Sequence, residues 1–164
     1  MHGYADGVAI ERWHSARLTL IGKYFREFAD SSADSIMTNA IGAVSYYSGI
    51  RVYGEHGLVD THIAHLKSEH LGRSLAGHEK GDYEYLLEKR PTYIMRTRQL
   101  FPRMVTKAEL LQGLPPFFKS HLENYRAVNA PMIDRTNGEQ GYFAFFALNE
   151  HGRYSTTSWF DPED

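Results

Sequence analysis

The sequence has no cysteine among its 164 residues, which excludes disulfides, thiolate nucleophiles and zinc–thiolate sites. It also has no apolar run near the roughly 20 residues that a membrane-spanning helix needs. Its 18 Lys and Arg stand against 20 Asp and Glu, for a formal charge of −2, whereas a nucleic-acid-binding domain is normally strongly basic. We therefore predict no nucleic-acid partner. The first residues lack the basic and apolar regions of a secretory signal.

Apolar and aromatic residues are plentiful. Hydrophobic residues make up 42% and aromatic residues 13% of the chain, which is enough for one sizeable core. The length suits one ordinary domain and is too short for two. We predict a single α/β domain over residues 1–164.

The first part of the chain has the pattern of an α/β fold. Apolar residues recur at three- and four-residue steps over residues 9–29, which predicts an amphipathic helix. Buried strands are predicted at residues 35–38, 50–53 and 92–96. One or two helical turns at residues 43–47 separate the first two strands, and this order is typical of parallel strands. We expect parallel strands near Ile36, Val52 and Ile94.

Two short helices are predicted between the second and third strands. Asp60 is placed to cap one over residues 60–69, and Asp82 to cap another over residues 83–89. The glycine-containing segment 72–81 between them is predicted to be a loop.

The C-terminal part is predicted to contain a helix and a strand pair. The helix covers residues 117–122, and the strands cover residues 125–133 and 141–148. Asn137-Gly138 between the strands is a strong hairpin signal. The predicted fold class is therefore α/β, with a small mixed sheet of parallel strands flanked by helices and an antiparallel C-terminal strand pair.

Histidines are concentrated in one segment. Five of the nine lie close to five acidic residues: His56, His62, His65, His70 and His78, with Glu55, Asp60, Glu69, Glu79 and Asp82. On a helix, His62 and His65 would share a face and, with Asp60, could bind one metal ion. The zinc-hydrolase motif His-Glu-x-x-His is absent, and solvated histidines with a capping aspartate are the alternative. No metal is predicted, and this trio is kept as a second possibility.

A second polar motif lies between glycines at residues 77–82. Lys80 and the backbone N–H groups that follow it suit an anion, while His78 and Glu79 suit sugar hydroxyls. The motif therefore indicates a phosphate or polyol site, or else a charged surface turn.

Other features leave the chemistry open. Tyr46 and Tyr47 suit stacking on a sugar ring, or belong to the core. Six basic residues and no acidic one lie between residues 89 and 107, which suits lipid phosphates, an anionic glycan or a solvated strand edge. Ser45 lacks the glycines of a nucleophile elbow, and no phosphate-binding loop or dinucleotide fingerprint is present. We predict no catalytic residue and no cofactor.

The middle of the chain resembles a known family. The matching segments are 40–49 (AIGAVSYYSG), 56–60 (HGLVD), 62–65 (HIAH), 77–87 (GHEKGDYEYLL) and 90–94 (RPTYI). They are similar to the soluble region that follows the transmembrane helices in polytopic, polyprenyl-phosphate-sugar-dependent glycosyltransferases, including arabinofuranosyltransferase-like bacterial membrane proteins. The resemblance covers residues 9–98 and leaves 99–164 as a C-terminal extension.

The resemblance implies an extracytoplasmic domain whose parent protein transfers a sugar from a lipid carrier to a growing glycan. The catalytic carboxylate would lie in the membrane half. This chain would then bind or position the acceptor glycan or the polyprenyl-phosphate sugar, or pack on the membrane half. The residues carried over as its binding surface are Tyr46, Tyr47, Asp60, His78, Glu79 and Lys80. Many members of the family have an acidic residue shortly before the Gly-Leu-x-Asp motif, where this chain has Gly54 followed by Glu55.

Two other functions fit the residues. One is a stand-alone metal-dependent or hydrolytic enzyme that uses the cluster from His56 to His78, with Glu79 or Asp60 as the base. The other is a structural interaction domain that supports its parent protein or a homodimer.

Overall fold

The computed structural model describes residues 4–68, 71–73, 77–150 and 152–162. In chain order its elements are α1 (Tyr4–Phe28), β1 (Ser35–Thr38), α2 (Ile41–Ser48), β2 (Arg51–Gly54), α3 (Thr61–His65), α4 (Tyr83–Glu88), β3 (Tyr93–Ile94), β4 (Leu100–Phe101), α5 (Lys107–Leu110), α6 (Pro116–His121), β5 (Tyr125–Asp134) and β6 (Glu139–Leu148). Among the described residues, no helix has the length and apolar character needed to cross a membrane.

The strands form one mixed sheet, which confirms the predicted fold class. β1 lies between β2 and β3 and is parallel to both. β6 is antiparallel to β3, β4 and β5. β5 pairs along the whole of one edge of β6, so β3 and β4 lie one after the other along its second edge. The predicted C-terminal pair is β5–β6, and its strands extend to Asp134 and Glu139.

Both faces of the sheet carry a hydrophobic core, because successive strand residues point to opposite faces. The face of Ile36 is covered by α1 and α2, with Phe25 among the fully buried side chains. The face of Met37 is covered by α3, α4 and α6, through residues such as Leu86 and Phe118. The chain between β1 and β2 therefore crosses one face, and the chain between β2 and β3 crosses the other.

Three elements differ from the predictions. The helix predicted over residues 60–69 ends at His65, because Leu66 has the extended backbone angles φ −59° and ψ 136°, and residue 69 lies outside the described part of the chain. The two-residue strand β4 and the four-residue helix α5 were not predicted. α5 has a local signal, since Thr106 and Glu109 form a reciprocal capping box.

A buried ion pair fastens α1 to the turn between β5 and β6. Arg17 is 0% exposed, and its Nε donates to a carboxylate oxygen of Asp134 at 2.8 Å while its Nη2 donates to Glu139 at 2.7 Å. Burial alone would raise the pKa of Asp134, but hydrogen bonds from Thr136 and Arg17 outweigh it and hold that pKa below its usual value. The position of α1 on the sheet thus depends on a charge contact as well as on apolar packing.

Replacing Arg17 by alanine should lower the free energy of unfolding by about 3–5 kcal/mol, because the buried carboxylate of Asp134 would lose its cation. Urea denaturation measures this loss. The exposed Arg12 of the same helix is the matched control, and Arg12→Ala should change stability by less than about 0.5 kcal/mol. Equal, small losses in both variants would contradict the role of the ion pair.

The same contact should make stability depend on pH. Because the pKa of Asp134 is lower in the folded state, its carboxylate contributes fully above the ordinary aspartate pKa of about 3.9, and the contribution is lost as the pH falls through the lower folded value. The stability difference between the native chain and Asp134→Asn should therefore be largest near neutral pH and narrow below about pH 4. Urea titrations across this range test it, and a constant difference would be inconsistent with an ionised Asp134.

Candidate functional site

The carboxyl ends of the three parallel strands meet at one edge of the sheet. Asn39, Glu55 and Arg96 lie just beyond β1, β2 and β3. The chain leaves β1 over one face and approaches β3 over the other, which makes this edge a topological switch point. Open α/β sheets place their ligands at such points.

An ion pair bridges the end of β1 at this edge. Glu55 is 1% exposed, and Nη1 of Arg96 lies 2.5 Å from its Oε1. The guanidinium also lies over the rings of Tyr83 and Phe118, each 5.2 Å from the ring centroid. Burial alone would lower the pKa of Arg96, but the Glu55 carboxylate outweighs it and raises that pKa. Nε of Arg96 is buried without a hydrogen-bond partner among the described residues.

Two histidines and the backbone around Lys80 lie next to the backbone of Glu55. The rings of His56 and His78 have centroids 4.4 Å apart, and Nδ1 of His56 is 3.3 Å from the carbonyl oxygen of Lys80. A Cβ added at Gly81 would lie 3.3 Å from the carbonyl oxygen of Glu55, so this segment packs directly on the end of β2. Glu55, His56, His78, Lys80 and Arg96 are called the carboxyl-edge cluster below.

The predicted Gly-His-Glu-Lys motif is held by internal contacts. Nζ of Lys80 donates to the carbonyl oxygen of Ala64 at 2.5 Å. The carboxylate of Glu79 accepts the N–H of Gly72 at 2.6 Å, and its backbone carbonyl accepts the Ser68 hydroxyl at 2.7 Å. Glu79 therefore holds its own loop, while Lys80 joins the loop to the end of α3.

The two predicted capping aspartates do cap their helices. Asp60 accepts the N–H of Ile63 at 3.1 Å and Asp82 accepts the N–H of Tyr85 at 3.0 Å. The Tyr85 hydroxyl also donates to Asp60 at 3.3 Å, which links α4 to α3. Asp60 is thus engaged in the local structure.

The possible metal ligands are directed to different partners. Nε2 of His62 is 3.0 Å from a carboxylate oxygen of Asp82, whereas Nδ1 of His65 contacts a carbonyl of its own helix at 2.7 Å. Within the described residues, no group of three His, Cys, Asp or Glu side chains is placed to hold a metal ion. Glu69 and His70 of the predicted cluster lie outside those residues.

Tyr46 and Tyr47 lie on the other face of the sheet, because both belong to α2. Tyr46 is 80% exposed, and the two rings meet edge to face with centroids 5.0 Å apart. A Cβ added at Gly22 of α1 would lie 2.8 Å from the Cβ of Tyr47, so α1 and α2 are in close contact there. The structure therefore divides the six predicted binding residues into two groups on opposite faces.

The basic residues between 89 and 107 do not share one surface. Lys89 lies over the ring of Tyr85, with Nζ 4.1 Å from its centroid. Arg103 pairs with Glu109 at 2.6 Å, and Lys107 donates to three backbone carbonyls at the end of α6 and the start of β5. Most of these basic side chains are therefore engaged in contacts within the chain.

The Glu55–Arg96 pair is the part of the site that the sequence predictions missed. Glu55 follows the predicted strand 50–53 and Arg96 is the last residue of the predicted strand 92–96, and the carboxyl ends of parallel strands meet at one edge. That rule, applied to the predicted strand order, is the signal that would have brought the two residues together.

The fold and the cluster define a mixed α/β domain with a polar site at its switch point. The chain belongs to the family DUF8728, a domain of unknown function, whose sequence model matches residues 8–154. Comparisons with curated proteins and with solved structures give no match. The matched span includes every residue of the carboxyl-edge cluster.

Removing either capping carboxylate should cost about 1 kcal/mol of unfolding free energy, because one backbone N–H of α3 or α4 loses its acceptor. Asp60→Ala and Asp82→Ala are compared by urea denaturation with Glu88→Ala, an exposed change in the last turn of α4. The control should stay within about 0.5 kcal/mol of the native chain. If Asp60→Ala lowers the free energy of unfolding no more than the control does, the capping hydrogen bond of Asp60 does not stabilise α3.

Proposed function

We propose that the chain is a non-catalytic, extracytoplasmic domain of a membrane glycosyltransferase-like protein. In this proposal it binds an acceptor glycan or a polyprenyl-phosphate sugar at the carboxyl-edge cluster and packs on the membrane half of its parent. The observation that carries the proposal is the pair of the buried Glu55 with Arg96 at the switch point, next to the adjoining rings of His56 and His78.

The donors of the cluster support a ligand rich in hydroxyl or phosphate oxygens. Arg96 keeps a buried Nε–H without a partner in the described part of the chain, and the exposed His78 packs its ring against His56, the residue after Glu55. Charged N–H donors make the stronger hydrogen bonds to oxygen acceptors, above all to phosphate. An anionic or polyhydroxylated ligand suits this set.

The nearby carboxylates support binding over catalysis. Glu55 is paired with Arg96, and Glu79 accepts a backbone N–H. A general base has to reach the proton that it removes, and both carboxylates are already engaged in internal contacts. This arrangement matches the expectation of an accessory domain.

The sequence resemblance and the geometry concern the same residues. The segments HGLVD and GHEK, which carry much of the resemblance, flank the ion pair as the loops after β2 and before α4. The extracytoplasmic location and the membrane half rest on that resemblance alone.

The binding test uses isothermal titration calorimetry with a pentose 1-phosphate, a hexose 1-phosphate and neutral di- and tetrasaccharides. Lys80→Ala and His78→Ala should each weaken binding about tenfold, the loss expected for one charge-assisted hydrogen bond. The unfolding curve of His78→Ala should stay close to that of the native chain, whereas Lys80→Ala also loses the contact with the Ala64 carbonyl and should be slightly less stable. Lys119→Ala, an exposed lysine on α6, is the matched control and should bind normally.

Tyr46→Ala distinguishes the two faces of the sheet. It should leave affinity unchanged if the ligand lies at the carboxyl-edge cluster. A loss in Tyr46→Ala with normal binding in Lys80→Ala would move the site to α2. Binding of none of the probes by the native chain would contradict a sugar-binding function.

A further inference from the structure

A long groove runs beside α1 and shares no residue with the carboxyl-edge cluster. It consists of three adjoining cavities of about 180, 500 and 610 Å³. Ala16 and Thr136 line both the first and the second cavity, and Lys23 and Pro162 line both the first and the third. The three cavities therefore lie next to one another along the helix surface.

The two walls of the groove come from distant parts of the chain. One wall is a stripe of α1 residues at three- and four-residue spacing, from Val8 to Glu27, which places them on one side of the helix. The other wall is the β5–β6 turn and the segment from Ser158 to Pro162. From Val8 to Arg26 the helix rises by about 27 Å at 1.5 Å per residue.

The groove is apolar at one end and cationic at the other. At the end nearest the N-terminus of α1, the groove is lined by Val8, Ala9, Trp13 and Ala16, with the exposed Arg12 at its rim. The opposite end is lined by the polar and charged residues Lys23, Arg26, Glu27, Ser158 and Asp161, together with the apolar residues Phe28, Trp159, Phe160 and Pro162.

Positive charge at that end is left over after internal pairing. Asp161 is paired with Arg135, through contacts of 2.5 and 2.8 Å. The side chains of Lys23 and Arg26 make no hydrogen bond and no ion pair within the described residues. Among the described residues that line this end, the two cations outnumber the one carboxylate that remains, that of Glu27.

We propose that this groove binds a single-chain anionic amphiphile, such as an alkyl phosphate or a fatty acid. The head group lies between Lys23 and Arg26, where charged N–H donors meet its oxygens. The hydrocarbon chain lies along Leu20, Ala16 and Trp13, where burial of apolar surface stabilises it. A wall on each side suits one chain better than the flat surface of a bilayer. The inference does not rest on the sugar-binding function proposed above.

The chain carries its own reporters for this test. Both of its tryptophans, Trp13 and Trp159, line the groove, one in the apolar part and one at the cationic end. Titration of the full chain with dodecyl phosphate, below the concentration at which it forms micelles, should give a saturable shift of tryptophan emission to shorter wavelength.

Two variants separate the two parts of the site. The double variant Lys23→Ala/Arg26→Ala should weaken dodecyl phosphate binding at least about tenfold, because both head-group donors are gone. Ala16→Leu fills the middle of the groove and should weaken binding of the alkyl chain. Arg51→Ala/Lys119→Ala removes two exposed cations elsewhere and should bind as the native chain does. Sugar binding in the groove variants should be unchanged, so a failure of either proposal is recognised separately.

Several results would overturn the inference. Equal affinity for dodecyl maltoside would show that the ligand needs no anionic head group. An equal response to inorganic phosphate would show that it needs no hydrocarbon chain. A response to anionic phospholipid vesicles without one to monomeric dodecyl phosphate would mean that the groove binds a membrane surface and not a single amphiphile. Normal binding in both groove variants would place the site elsewhere.

Discussion

Strand β6 has to pair along both of its edges while supplying side chains to both faces, and the rest of the fold is arranged around it. β5 fills one edge, and β3 and β4 together fill the other. Phe143 and Phe145 enter the core under α1, whereas Phe146 and Leu148 enter the core under α4 and α6. A slip of one residue would exchange these two sets. The register of β6 therefore positions the helices on both sides of the sheet.

The parts of the fold that were predictable have strong local patterns. The three parallel strands are short apolar runs between turn residues, and the final hairpin has an Asn-Gly turn, so neither depends on distant contacts for its signal. β4 is different, because it has two residues and exists through its pairing of Leu100 with Phe143 of β6. The helix predicted to reach residue 69 stops at His65, where the chain turns to meet the loop that Lys80 holds to Ala64. Those outcomes depend on tertiary contacts that a local pattern does not contain.

The candidate site shows the same division. Asp60 and Asp82 were predictable as caps, because a cap acts on its own helix. Glu55 and Arg96 are 41 residues apart, and they meet only because β1 lies between β2 and β3. Tyr46 and His78 were predicted as one surface. Tyr46, however, lies on α2, and the loop of His78 contacts α3, and these two helices cover opposite faces of the sheet. Which face a connection crosses is a property of the whole chain path, so the sequence alone left it open.

The Glu55–Arg96 pair also bears on why the edge is polar at all. A buried ion pair is often no more stabilising than apolar side chains of similar volume, since both charges lose their water. Arg96 already packs on Tyr83 and Phe118, so an apolar side chain would find a suitable environment there. Stability therefore gives little reason for a charge at this place. The ligand proposed for this edge would give one, because the buried carboxylate of Glu55 fixes the orientation of the Arg96 guanidinium.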